Sequence, residues 1–171
     1  VLATANFGSK SNENLDILEE FYKRKGIKKP LMCMEFWDVW FNRWKEPIIT
    51  RDAEDLAESV RELLPRSSIN LYMFIGGTNF GFYNGCSARG NTDLPQITSY
   101  DYDAFLTEWG QPSEKFYKLR KLINELYPQI PTFEPKDRKR KGFGMATMTE
   151  KVSLVSVIDQ LALCQKSDYP M

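Results

Sequence analysis

The 171-residue sequence contains no histidine. This excludes Ser-His-Asp and Cys-His catalysis and every histidine-ligated metal site, leaving carboxylates, hydroxyls, lysines and tyrosines to carry any chemistry. Cysteine is scarce: Cys33, Cys86 and Cys164 lie far apart, are odd in number and form no CxxC pair. Neither a disulfide framework nor a zinc knuckle follows, and small buried or idle thiols are expected. Net charge is also missing, because 23 Lys+Arg balance 23 Asp+Glu, so the usual electrostatic case for a nucleic-acid or anionic-membrane partner falls away. No apolar run approaches the ~20 residues of a membrane span, and no basic-then-apolar leader opens the sequence. With no Asn-x-Ser/Thr acceptor present, a cytoplasmic protein is the expectation.

Aromatic residues, by contrast, make up 13% of the chain, and they cluster in two stretches. The remainder reads as alternating elements. Apolar runs at Val1–Ala5, Pro30–Met34 and Ile69–Ile75 suggest buried strands. Between them, Leu15, Leu18, Phe21 and Tyr22 share one helical face, with Ser11 or Asn12 to cap the start and Gly26 to end it. A second stripe, Leu56, Val60, Leu63 and Leu64, follows Thr50-Arg51-Asp52 and stops at Pro65. A third helix follows Pro112-Ser113 and turns Phe116, Leu119, Leu122, Ile123 and Leu126 inward. Strands about 30 to 40 residues apart with helices between them are the βαβ rhythm of a parallel sheet.

Three parallel strands are too few to bury both faces of a sheet. The chain opens inside an apolar run rather than at methionine, so the rest of the sheet is expected outside it, or copies must assemble; exposed sheet edges would favour self-association. From Tyr127 the composition changes, with Pro128, Pro131 and Pro135 followed by the charge run Lys136–Lys141. The expected organisation is an α/β unit over residues 1–126, a linker over 127–150, and the incomplete start of a β-rich domain over 151–171. In that last piece Lys151–Ile158 reads as a strand.

Two stretches carry the chemistry. The first, Met34-Glu35-Phe36-Trp37-Asp38-Val39-Trp40-Phe41-Asn42-Arg43-Trp44, sets Glu35 at the end of the apolar run Leu31–Met34. A glutamate among tryptophans suits carbohydrate chemistry, since indole faces pack on the C–H face of a sugar and a carboxylate can attack an oxocarbenium-like centre. Without a family the residues equally allow a glutamate that anchors a βα loop by hydrogen bonds. The second stretch runs Tyr72-Met73-Phe74-Ile75-Gly76-Gly77-Thr78-Asn79-Phe80-Gly81 and onward to Thr98-Ser99-Tyr100-Asp101-Tyr102-Asp103-Ala104. Its glycines match no phosphate loop. The loop from Gly76 to Pro112, longer than about 30 residues, is of a length usually kept for function.

These three motifs, in this order, resemble glycoside hydrolase family 35, the β-galactosidases, and in particular their intracellular bacterial members. The resemblance covers about four-fifths of the chain. It implies a (β/α)8 TIM barrel, of which the chain would supply strands six to eight, a retaining mechanism without a cofactor or metal, and a terminal β-linked galactose as substrate. Glu35 matches the family's nucleophile, Trp37 and Trp40 match aromatic wall positions, and Tyr102, with Tyr100, matches a tyrosine near the nucleophile and the sugar. Two positions depart from the pattern. Val39 replaces the usual glycine and is expected to crowd the tryptophan wall, and Ile75 stands where bacterial members often have histidine.

A retaining glycosidase needs a second carboxylate about 5–5.5 Å from the first. The family draws it from an Asn-Glu pair at the end of another strand. Asn12-Glu13 and Asn124-Glu125 sit at a helix start and a helix end, and nothing marks Asp38, Asp101 or Asp103 as the acid. The expectation is therefore a nucleophile-bearing piece of a β-galactosidase, inactive alone, whose partners are a β-galactoside oligosaccharide and the rest of the barrel. The rival expectation is a non-catalytic carbohydrate-binding or assembly fragment.

Overall fold

In a computed structural model, residues 2–136 and 139–161 are described. The chain divides into two units, Val1–Lys136 and Asp137–Met171.

The first unit is built on three parallel strands in the order β1 (Ala5–Phe7), β2 (Met32–Trp37) and β3 (Ser68–Tyr72). Sequential order means that each crossover advances in the same direction. With right-handed connections both crossover helices then lie on one face. Helices α1 (Ser11–Lys25) and α2 (Ala53–Leu63) make these crossovers, and α3 (Glu114–Leu126) follows the long loop. Their apolar stripes meet the strands in one core of Phe7, Leu15, Cys33, Phe36, Leu56, Val60, Leu63, Phe105, Leu119 and Leu122. The α/β expectation holds, and all three predicted helices are present.

Strand boundaries move. β1 lies at Ala5–Phe7 rather than Val1–Ala5, because Ala5, Asn6 and Phe7 are the residues in register with β2. β2 runs on to Trp37, three residues past the apolar run, so Glu35 lies inside the strand and not at its end. Polarity misplaced that boundary: the strand is bounded by its backbone pairing, which tolerates a glutamate. β3 ends at Tyr72, and Ile75 instead forms an isolated parallel bridge with Leu106.

Helix ends follow local chemistry in part. The Asp52 carboxylate accepts the N–H groups of Glu54 and Asp55 at 2.9 and 3.0 Å, an N-cap that also holds its own pKa low. Gly26 closes α1 in the left-handed conformation, φ 63°. Neither Ser11 nor Asn12 caps α1. The N-cap is Lys10, and the Ser11 hydroxyl is spent across the helix pair on the Ser59 carbonyl at 2.8 Å.

Within the long loop lies a hairpin that the sequence reading passed over, β4 (Cys86–Arg89) and β5 (Thr92–Pro95), joined by Gly90-Asn91 with Gly90 at φ 61°. A two-residue Gly-Asn connection is a hairpin signal. Beyond α3, Arg120 donates to the Phe133 carbonyl and pairs with Glu134, which ties residues 133–134 to the helix.

In the second unit, described over residues 139–161, the expected strand at Lys151–Ile158 is absent. Leu154–Val157 is a short helix and Ile158–Gln160 a 3-10 turn. A strand needs a neighbour to accept its hydrogen bonds. No described residue pairs with this segment, and it bonds locally instead, Ser156 N–H to Ser153 O at 3.1 Å.

Candidate active site

The site is organised by a fault in β2. Between Cys33 and Phe36 the strand advances three residues while β3 advances two, from Ile69 to Leu71. Against β1 it advances from Cys33 to Glu35 while β1 advances one residue. One extra residue is therefore lodged at Met34-Glu35. Such a bulge re-aims side chains and is over-represented beside active sites. Its effect here is that Cys33 and Phe36 both enter the helix-covered core, although strict alternation would separate them. Met34 and Glu35 are left out of that core, Met34 being 42% exposed.

Glu35 is half-buried, and its Oε2 accepts the indole N–H of Trp37 at 3.0 Å. From Trp37 an unbroken series of ring contacts leads to the remaining predicted residues. Trp37 meets Trp40 edge-on at 5.3 Å, Trp40 approaches Tyr102 at 6.5 Å, and Tyr102 stacks on Tyr100 at 5.5 Å. The structure thus brings Glu35, Trp37, Trp40, Tyr100 and Tyr102 together. Val39 does not break the wall: it packs into the same aromatic cluster beside Trp40 while Trp37 and Trp40 stay in contact.

Tyr72 is a further member, edge-on to Tyr102 at 5.6 Å with its hydroxyl 3.5 Å from that of Tyr100. Burial pushes the Tyr100 and Tyr102 phenols well above the usual tyrosine range, and the Glu35 charge adds to both shifts. Both therefore stay neutral, able to donate a hydrogen bond as well as accept one. Gly76 is required where it stands, because a Cβ there would lie 1.7 Å from the Tyr100 carbonyl oxygen.

Asp38 is fully buried at the end of β2. Its Oδ1 accepts the N–H groups of Met73 at 2.9 Å and Val39 at 3.2 Å, while Oδ2 has no partner. Burial raises its pKa to about 7, against the opposing field of Lys115. Its bonds to the Met73 and Val39 N–H groups brace the ends of β2 and β3. Asp103 is likewise occupied, accepting from Lys115 Nζ and from the Arg51 N–H.

Tyr102 and Asp103 are consecutive non-glycine residues in the left-handed region, φ 63° and 45°. Each such residue costs on the order of 1–3 kcal/mol, and strain of this kind collects where a side chain must be held in place. A crevice of about 870 Å³ opens between the entries to α1 and α2 on another side of Trp37. Neither Glu35 nor the tyrosines line it, so it is not where the carboxylate and the aromatic wall meet.

Among the cysteines, Cys33 is buried, with its thiol pushed up to about 11 by desolvation, and Cys86 is exposed; Cys164 lies outside the described residues. No group of three or more acidic or cysteine residues could hold a metal ion among the described residues.

A carboxylate re-aimed by a bulge, hydrogen-bonded to a tryptophan and continued by stacked aromatic rings is the equipment of a sugar-processing site. The chain belongs to the glycosyl hydrolases family 35, a family of glycosidases, whose model matches residues 1–126. It is 36% identical over 177 residues to human "Beta-galactosidase", covering 98% of the chain and 24% of that protein. To human "Beta-galactosidase-1-like protein 3" it is 44% identical over 113 residues, covering 63% of the chain and 17% of the relative. Mouse "Beta-galactosidase" is 40% identical over 132 residues, 75% of the chain and 19% of the relative. The chain thus spans about a quarter or less of the length of these curated relatives, all of which are mammalian.

Proposed function

We propose that this chain is the nucleophile-bearing part of a retaining β-galactosidase, contributing strands six to eight of a (β/α)8 barrel. The observation that carries the reading is the bulge at Met34-Glu35, which sets a carboxylate beside Trp37 and the Trp40–Tyr102–Tyr100 rings. Family membership and the names of the relatives support β-galactosides as the substrate class.

In the proposed reaction a Glu35 oxygen attacks the anomeric carbon as the bond to the aglycone oxygen breaks. A second carboxyl, supplied from outside these 171 residues, protonates the departing oxygen. The product of this step is a galactosyl ester of Glu35 with inverted configuration. Water, deprotonated by the same second group, then attacks that carbon, releases the Glu35 carboxylate and restores the β configuration. The Trp37 N–H, bound to Oε2, fixes the orientation of the carboxylate. Trp37 and Trp40 supply apolar faces for the sugar, and the neutral phenols of Tyr100 and Tyr102 supply hydrogen bonds at its edge.

One chimera tests this reading. The matching quarter of human "Beta-galactosidase" is replaced by this chain and assayed with a chromogenic β-galactoside. Turnover is expected, and Glu35→Gln should abolish it while the chimera remains folded by circular dichroism. Turnover unaffected by Glu35→Gln would remove the nucleophile assignment. The chain by itself is expected to release no aglycone; clear release that depends on Glu35 would show that the second carboxyl lies within it.

A further inference from the structure

Lys115 lies on the α3 face that also carries Leu119 and Leu122, and only 4% of it is exposed. An ammonium withdrawn from water this completely must be compensated, and an apolar side chain would fill the place at lower cost. Its hydrogen bonds go to a single residue, Asp103, and the field of the buried Asp38 adds to the compensation. Lys115 Nζ donates to the Asp103 carbonyl oxygen at 2.7 Å and to Asp103 Oδ2 at 2.5 Å. The Arg51 backbone N–H reaches the same carboxylate oxygen at 2.9 Å, and the Asp103 N–H is anchored on Asp101 Oδ1 at 3.2 Å. The turn is therefore gripped from α3, from the entry to α2 and from its own loop.

What the grip holds is the pair Tyr102-Asp103, both left-handed, with Tyr102 1% exposed among the rings of Trp40, Tyr72 and Tyr100. A bulky residue keeps such a conformation only where its surroundings over-determine it. Of the groups that grip the turn, Lys115 makes two of the bonds and carries the one charge opposite to that of Asp103. We infer that Lys115 is a positioning residue: clamping Asp103 from below, it fixes the Tyr102 ring in the aromatic wall beside Glu35. The inference takes from the proposed function only the assignment of Tyr102 to the sugar site.

The test is the rate of Tyr102 nitration by tetranitromethane, located by mass spectrometry, in this chain well below its unfolding midpoint. Lys115→Met should open the turn locally and raise that rate by about tenfold or more, while Lys115→Arg, which keeps the ion pair, should stay within about threefold of the parent. Leu122→Ala weakens the same helix contact without touching the turn. It should lower the unfolding midpoint and leave Tyr102 as protected as before. If Lys115→Met does not fold, Lys115→Gln, which keeps a donor but no charge, carries the same expectation as Lys115→Met.

Tyr102 as slow to react in the uncharged variant as in the parent would overturn the inference. So would equal exposure of Tyr102 in Leu122→Ala, which would make Lys115 a stabilising residue and nothing more. No sugar enters the measurement, so it is decided independently of the Glu35→Gln result in the chimera.

Discussion

The chain has two hydrophobic clusters built on opposite principles. The core between sheet and helices is largely aliphatic, and strands and helices supply nearly all of it, Leu15 from α1, Leu56, Val60 and Leu63 from α2, and Leu119 and Leu122 from α3. The cluster around Phe41, Tyr102 and Ala104 is largely aromatic and rests mostly on segments with no regular backbone. In the first, repetition places the side chains. In the second, each is placed by a separate local device: a bulge for Glu35, a left-handed pair for Tyr102, and a missing Cβ at Gly76. The regular elements supply most of the buried core of this molecule, and its candidate site is shaped by departures from regularity.

Two adjacent residues of β2 offer the sharpest way to break this comparison. Glu35→Gln keeps the volume and the bond from Trp37, so stability should move by less than about 0.5 kcal/mol. In the chimera, activity should fall by about a thousandfold or more, at least ~4 kcal/mol of barrier. Phe36→Ala should do the reverse at the level of cause: it empties a fully buried site and should cost about 3–5 kcal/mol in urea unfolding. A Phe36 variant of unchanged stability would mean that the two clusters are not separate in the way described.

The smaller effect concerns Asp38, which sits where the two regions join. Its folded-state pKa of about 7 lies above the ordinary 3.8. Between those values the folded protein holds a proton that the unfolded chain has released. Stability from this group is therefore greatest at low pH, declines as pH rises from about 4 to about 7, and levels off above that. The opposite trend from Asp52 and Glu54, whose pKa values are lowered, overlies it, so the difference between parent and Asp38→Asn is the useful quantity. The variant should gain on the order of 4 kcal/mol over the parent between pH 4 and pH 8. A difference that does not change with pH would mean that Asp38 is better solvated than its unpartnered Oδ2 implies.

Much of this was legible beforehand, and for a definite reason. Helix stripes and end signals are local, so α2 and α3 could be read from Leu56-Val60-Leu63, Pro65 and Pro112-Ser113. The aromatic motifs were legible because their residue types are uncommon and their order is fixed. The Gly90-Asn91 hairpin could have been read in the same way. Lys115 left a fainter trace: it is the one lysine in step with Leu119 and Leu122 on the buried face of α3, and a charge in an apolar stripe asks for a partner. That the partner is Asp103, on another element, was not legible. The strand reading at Lys151–Ile158 failed because apolar alternation describes a segment's preference, while a strand exists only where a neighbour accepts its hydrogen bonds.

What the sequence determined by itself is the α/β rhythm, the three covering helices and the residues that gather around Glu35. These follow from period, composition and motif, none of which needs a partner. Only the tertiary structure decided that β2 carries an extra residue, that Asp38 is left with one oxygen unpaired, and that a buried lysine grips the turn of Tyr102. Each of these depends on register or on a contact between segments far apart in the chain. Such contacts are set by which backbone groups and cavities remain once the regular elements have packed.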